Sequence, residues 1–288
     1  MAARLIPDLG PGPQAAAPAP KNSFRRVVLW GNLVELYRHR ELLWMWSLRE
    51  IKIRYKQSLL GATWAVLQPL VLMAAFTAIF SLLARFPSDG VPYPIFSYVA
   101  LVPWTFLATS ITFAVPSLVN NLNLVTKIYF PREILPFASV IAAFVDFIIA
   151  FVVLLGLMAA FAVPLRPTAF WAPLIFAVQV ELTLGIVLIL SAMNVRFRDV
   201  RFVVPLGIQL WLYASPIIYP VSSLPEKLRG WYMLNPMAGL IESYRTVLIH
   251  GRSPDWAQLA ISAVLSTLLL VFGYLHFKRA EATFADII

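Results

Sequence analysis

What most constrains this chain is a succession of apolar runs, each close to the roughly 20 residues that a helix needs to cross a bilayer core. They cover residues 62–83, 95–119, 137–163, 170–193, 202–218 and 256–277. In lipid every unpaired backbone polar group is costly, so runs of this kind fold as helices that satisfy their own hydrogen bonds. The expected fold is an all-α polytopic membrane protein with six transmembrane helices. Composition agrees: 60% of residues are hydrophobic and 13% charged, against about 45–50% and about 25% in a soluble domain. Pro69 in the first run, and Pro103 and Pro116 in the second, predict interrupted helices whose freed carbonyls need partners from neighbouring helices.

The residues ahead of the first run divide in two. Met1–Asn22 is rich in Pro, Ala and Gly and shows no short apolar core followed by a small-residue cleavage site, so residues 1–22 read as a disordered tail rather than a signal peptide. Residues 23–61 read as an interfacial amphipathic helix region. Trp44, Leu48, Ile51, Tyr55 and Leu59 recur at helical spacing, while Arg49, Lys52 and Lys56 line a neighbouring face. Such a helix is expected to lie in the headgroup layer with its cations toward anionic lipid. The plainer alternative is a helix packed on a partner.

Charge placement orients the chain. A net charge of +9 raises the possibility of nucleic acid. Of the 23 Lys and Arg, however, ten precede the first run, two lie in the 120–136 loop, three in 194–201 and two after the last run. Only six fall on the opposite side, four of them within 221–255. Cationic loops face the cytoplasm, so both termini and the 120–136 loop are expected there, and no nucleic-acid partner is needed to explain the charge. The absence of cysteine excludes disulfides and thiolate chemistry.

Three segments between the runs carry information. Asn121–Pro136 reads NLNLVTKIYFPREILP, a polar hairpin at a membrane face holding Lys127, Arg132 and two aromatics. Asn194–Arg201 reads NVRFRDVR, with Arg196, Arg198, Asp199 and Arg201 in eight residues. Residues 221–255 are too long for a turn and too apolar for a solvated loop. Ser223 with Glu226, and Pro225 between them, predicts a capping box and a short helix. Asn235-Pro236 predicts a second helix, ended by His250-Gly251, with Met237, Leu240, Ile241, Tyr244, Val247 and Leu248 on one face. Two short re-entrant or amphipathic helices are therefore expected between the fifth and sixth spans.

Inside the spans, Asp146 and Glu181 stand out, because a charge at the centre of a membrane helix costs about 2.5–3.5 kcal/mol on insertion scales. They are candidates for lining a polar path, at similar depth in antiparallel neighbours; packing or a protonated carboxyl explains them equally well. No Lys or His accompanies them within those spans. Trp104, Phe106, Phe113, Trp211 and Tyr213 are candidate stacking platforms for sugar rings, although most aromatics in such a chain face lipid or the interfaces. The three histidines are scattered and show no metal-ligand spacing. No nucleophile, metal motif or paired acid and base is evident, so catalysis by this chain is not expected, and no cofactor is expected on it. The GxxxxGK[ST] loop that cradles ATP phosphates is absent as well.

Six local strings together resemble one family. SLLGATWAVLQPL (Ser58–Leu70), LVPWTFLATSI (Leu101–Ile111), NLVTKIYFPREILP (Asn123–Pro136), NVRFRDV (Asn194–Val200), PIIYP (Pro216–Pro220) and LNPMAGLIESYR (Leu234–Arg245) resemble the membrane (permease) subunit of ABC exporters for O-antigen, capsule or teichoic acid. The resemblance implies a homodimer in the bacterial cytoplasmic (inner) membrane. Two copies of a separate ABC ATPase would bind ATP and Mg, and a polyprenyl-diphosphate-linked polysaccharide would be moved outward. It implies that residues 62–288 form the transmembrane domain, with a coupling helix at 120–136 and outer-side gate helices within 221–255. Lys127, Tyr129, Phe130, Pro131, Arg132 and Glu133 would contact the ATPase, with Pro131 ending the helix; anchoring at the headgroups is the simpler role. Arg196, Arg198, Asp199 and Arg201 would meet the ATPase or the diphosphate of an arriving substrate, since guanidinium forks suit phosphate oxygens; a positive-inside anchor serves equally. The same architecture carrying a drug or lipid, a glycan transferase and an ion-coupled carrier are the competing readings.

Overall fold

The computed structural model describes residues 29–56, 61, 63–83, 86–127 and 129–284, and every regular element among them is helical. The expected tail 1–22 and Leu59 of the amphipathic stripe lie outside the described residues. In chain order the helices are α1 Leu29–Arg38, α2 Arg40–Tyr55, α3 Thr63–Phe76, α4 Tyr93–Ala114, α5 Ser117–Asn120, α6 Leu122–Lys127, α7 Ile134–Ala160, α8 Ala172–Arg196, α9 Val200–Tyr213, α10 Glu226–Tyr232, α11 Pro236–Arg245 and α12 Trp256–Glu281.

Among the described residues, five helical segments are long and apolar enough to cross a membrane: Thr63–Ser81, Tyr93–Ala114, Ile134–Ala160, Pro167–Arg196 and Trp256–Glu281. The sixth apolar run forms only α9, of 14 residues, about 21 Å at 1.5 Å per residue against a hydrocarbon core of about 30 Å. The expected fifth span therefore ends early. The local cause is visible: Asn235 Nδ2 donates to the carbonyl of Ala214 at 3.2 Å and to Ser215 Oγ at 3.1 Å, and Pro216 then interrupts the backbone donors.

The bundle is organised around α4, most of whose residues from Ile95 to Leu107 are buried. It packs on α7, and α8 pairs with α12 in the most extensive contact of the molecule. That second pairing depends on glycine: a Cβ on Gly185 would sit 2.8 Å from backbone atoms of Leu269 and Leu270, and one on Gly273 would sit 2.5 Å from the Gly185 carbonyl oxygen. Small residues at such a crossing let two backbones touch, which is how helices gain contact in lipid without a hydrophobic driving force.

One end of the bundle gathers Leu118, Phe130, Ile134, Leu188, Val195, Phe277 and Phe284, with Leu42, Leu43 and Trp46 of α2 packed on them. Toward the other end Tyr93 of α4 donates to the carbonyl of Ile218 at 2.7 Å, and Trp171 meets Trp256 edge-on at 4.9 Å. The exposed Arg196, Arg198 and Arg201 and the pair Lys278 and Arg279 fall at the first end, whereas Arg166, Lys227 and Arg252 fall toward the second. The charge asymmetry of the sequence is thus an asymmetry between the two ends of the bundle.

The amphipathic helix packs on α7. Ser47 is fully buried, whereas Trp44, Met45 and Ile53 are exposed, and Leu48, Ile51 and Tyr55 are half-buried. The packed face is rotated from the expected apolar stripe toward Leu43, Ser47 and Arg54. The neighbour that selects this face is a helix carrying a carboxylate, not only lipid.

Between α9 and α12 the two expected short helices are present but differ in character. The capping box does not form: Ser223 Oγ donates to the Pro220 carbonyl at 2.8 Å, and α10 starts at Glu226 without a side-chain cap. The preceding 3₁₀ turn, Val221–Ser223, holds that hydroxyl away from the Glu226 backbone. By contrast Asn235 does cap α11, accepting from Met237 N at 3.1 Å, and Gly251 closes the segment in the left-handed region at φ +65. The apolar face from Met237 to Leu248 is buried throughout, held among α4, α8 and α12.

Asn235 also accepts from Trp211 Nε1 at 3.0 Å, so one amide ties α9, the 214–215 turn and α11 together. Replacing an N-cap residue by Ala costs roughly 0.5–2 kcal/mol, and here a half-buried indole N–H loses its partner too. Asn235→Ala is expected to lower the unfolding midpoint of the detergent-solubilised protein clearly. Asn235→Asp keeps both acceptor roles and should fall between the two. A midpoint unchanged by Asn235→Ala would show that this junction is held by packing alone.

Candidate functional site

The loop that enters α7 is short because its residues are used on both sides. Helix α6 stops at Lys127, and 129–133 runs without regular helix to Ile134. Of the six candidate contact residues, Tyr129 is 77% exposed and donates to Glu35 Oε1 at 3.3 Å. Phe130 and Pro131 are buried, and Phe130 joins the apolar cluster at this end. The Lys127 side chain lies outside what the structure describes. Because α6 has already ended, Pro131 does not terminate it.

Arg132 and Glu133 are turned to α12. The Arg132 backbone N–H donates to Glu281 Oε1 at 3.3 Å and its Nη1 to the Glu281 carbonyl at 2.8 Å. The carboxylate of Glu133 has no exposed surface and lies 2.8 Å from Lys278 Nζ, which also bonds Glu281 at 2.9 Å. Burial pushes the Glu133 carboxyl above its ordinary value, and Lys278 offsets that in part. These two residues fasten the loop to the last turn of α12. Among the candidates whose side chains are described, Tyr129 is the one that presents an exposed surface.

Arg196, Arg198, Asp199 and Arg201 are all exposed and make no ion pair among the described residues. Arg196 leans over Phe197 at 5.5 Å and Arg201 over Phe202 at 4.7 Å. Arg201 and Phe202, with Thr112, Pro116 and Asn120, line a groove of about 480 Å³ where α4, α5 and α9 converge. Arg201 is therefore the member of this cluster placed at a concavity; none of the other three lines it.

The two carboxylates within spans do not share a partner. Glu181 Oε2 accepts from Thr267 of α12 at 2.8 Å. Asp146 is bonded by Arg54 Nη1 and by the hydroxyl of Tyr55, both at the end of α2. The companion cation that the spans lack thus arrives from the amphipathic helix, 92 residues earlier. Sequence reasoning counted Arg54 only among the ten cations ahead of the first run and gave it no partner. The available signal was its position seven residues, almost two turns, past Ser47, which puts both on one helix face.

The Arg54–Asp146 pair forms one wall of a pocket of about 210 Å³ that Phe113 also lines, with its ring 4.2 Å from the Arg54 guanidinium carbon. Phe106 lines the same pocket but is buried; Trp104, Trp211 and Tyr213 lie elsewhere. Trp104 is buried in the core, edge-on to Trp211 at 5.7 Å, so its surface is taken up by packing. Tyr213 is exposed at the end of α9, where its carbonyl accepts from Tyr219 at 3.0 Å. Among the described residues no group of three or more His, Asp and Glu is placed to hold a metal ion.

Residues 41–249, from the start of α2 to the turn that follows α11, match the family profile described as ABC-2 type transporter. The chain belongs to the ABC-2 type transporter family. This ABC-2 permease is 32% identical over 255 residues to the O-antigen export system permease protein RfbA of Myxococcus xanthus, covering 88% of this chain and 97% of the relative. It is 30% identical over 251 residues to the RfbA protein of Klebsiella pneumoniae, covering 86% and 95%. The polysialic acid transport protein KpsM of Escherichia coli is 23% identical over 239 residues, covering 81% and 91%. In the ABC-2 permease described here, the Arg54–Asp146 pair and the Asn235 junction fall inside the family match, while the α12 partners of the loop, Lys278 and Glu281, fall beyond it.

Proposed function

We propose that this permease is the membrane subunit of an ATP-driven exporter that moves a polyprenyl-diphosphate-linked polysaccharide outward across the bacterial inner membrane. It acts as a homodimer with two copies of a separate cytoplasmic ATPase. The observation that carries the reading is the near end-to-end similarity to O-antigen permeases of two organisms. The end of the bundle that collects the 129–133 loop and the arginines of 194–201 is the cytoplasmic end, as expected where cationic segments concentrate. There Tyr129 inserts into the ATPase, while Arg132 and Glu133 transmit the resulting displacement to α12. Arg201 in its groove meets the diphosphate, with Arg196 and Arg198 as surface attraction for the anion.

Depleting the protein in its native cell tests this. Full-length glycan should accumulate on the cytoplasmic face and disappear from the surface. Re-expressing wild type should restore it, and Tyr129→Ala should reach the membrane at normal level yet restore little export and little stimulation of the partner's ATP hydrolysis. If depletion left the surface glycan untouched, the cargo would be a drug or another lipid. If Tyr129→Ala restored export fully, the contact would lie elsewhere.

A further inference from the structure

The pocket bounded by α2, α3, α4 and α7 has a nearly buried ion pair, Arg54–Asp146, in its wall. The side chains of Arg54 and Asp146 retain only 10% and 13% of their accessible surface. Asp146 accepts from both Arg54 and Tyr55, but Arg54 Nη2 is buried with no hydrogen-bond partner among the described residues. A buried N–H left without an acceptor is costly, and a guanidinium more so than a neutral group. An incoming hydroxyl removes that cost.

Three features define what the pocket accepts. The carboxylate balances the guanidinium, so the cavity carries no net charge and gives an anion no advantage over a neutral polar molecule. Gln68, Thr105 and Thr109 add an amide and two hydroxyls to the lining, while Trp64 and Phe113 add aromatic faces that are 52% and 43% exposed. Alternating hydroxyl partners with flat aromatic faces match a sugar ring, which has polar edges and an apolar C–H face. At about 210 Å³, the cavity is smaller than the roughly 300–1,000 Å³ of sites for drug-sized ligands, so it suits one ring and not several.

We propose that this pocket is a subsite for a single uncharged sugar ring of the transported glycan, held through its hydroxyls by Arg54 and Gln68 and through its apolar face by Trp64. The proposal rests on the export reading above and adds a place where the chain of sugars is held during passage.

The absence of cysteine makes the test direct, because a single introduced thiol is the only one this chain offers, and labelling is read on this chain alone. Gln68→Cys is placed in the full chain with its ATPase, and membranes are treated with a sulfonated maleimide. One set comes from cells that make the lipid-linked glycan and the other from cells blocked in its synthesis. Labelling of Gln68→Cys should be severalfold slower when glycan is present, whereas Leu228→Cys, on exposed α10, should label equally in both sets. Adding Trp64→Leu to Gln68→Cys should bring the rate back toward the glycan-free value. Equal rates with and without glycan, or no labelling in either, would overturn the subsite. Loss of surface glycan on depletion, combined with equal labelling, would leave the export reading standing and remove only the pocket; persistence of surface glycan on depletion would remove both.

Discussion

Arg54→Ala is expected to be among the most damaging single substitutions in the chain. It leaves the Asp146 carboxylate, 13% exposed and within a transmembrane helix, with only a tyrosine hydroxyl for support. Removing one partner of a buried ion pair costs about 3–5 kcal/mol, because the charge left behind has lost its compensation and cannot return to water. Folded protein in the membrane and the unfolding midpoint in detergent should both fall sharply. The pair taken together is a different matter. Two desolvated charges gain little net stability over well-packed apolar residues, so Arg54→Met combined with Asp146→Leu should recover most of the yield lost by either single change. The double variant should still fail to hold sugar if the pocket acts as proposed. A single Arg54→Ala variant as stable as wild type would show that Asp146 is solvated in the membrane and that α2 is not locked to α7 by this pair.

The second large effect is expected at the α8–α12 crossing. Alanine is favoured over glycine in a helix by about 1 kcal/mol, so propensity alone predicts that Gly185→Ala and Gly273→Ala stabilise the protein. Geometry predicts the reverse. The added methyl at either site meets backbone atoms at 2.8 Å or closer, and backbone cannot rotate away as a side chain does. The helices must separate along the most extensive contact in the fold, and overpacking of this kind typically costs about 1–3 kcal/mol. Leucine at either position should abolish accumulation of folded protein. Gly156→Ala on α7 is the control: nothing lies within 4 Å of its added Cβ, so it should be neutral or slightly stabilising. Thermal unfolding of the three alanine variants in one detergent decides between propensity and packing.

Much of the helical order was legible because a membrane helix satisfies its own backbone and needs only a run of apolar residues to be recognised. The same locality explains the success at Asn235, whose side chain reaches a backbone N–H two residues away, and on the face from Met237 to Leu248, where helical spacing is sufficient. Local patterns failed where a distant neighbour competed. Ser223 had the spacing of a capping box, yet a tight turn gave its hydroxyl to Pro220 instead. The run 202–218 had the composition of a span, yet Asn235, some twenty residues on, engages the carbonyl of Ala214. In the 129–133 loop, charge and aromatic content marked a special segment, but its division into an outward Tyr129 and an inward Glu133 depends on Lys278, 145 residues away.

By itself the sequence determined an all-helical membrane protein, a strong bias of positive charge toward one set of loops, and a set of strings that resemble those of polysaccharide permeases. These properties reside in each segment separately or in their succession. Only the tertiary structure decided which charges meet. Arg54 reads as a surface cation and Asp146 as a lone acid until helix packing brings them together, because an ion pair is a property of distance in space, and spacing along the chain does not encode it.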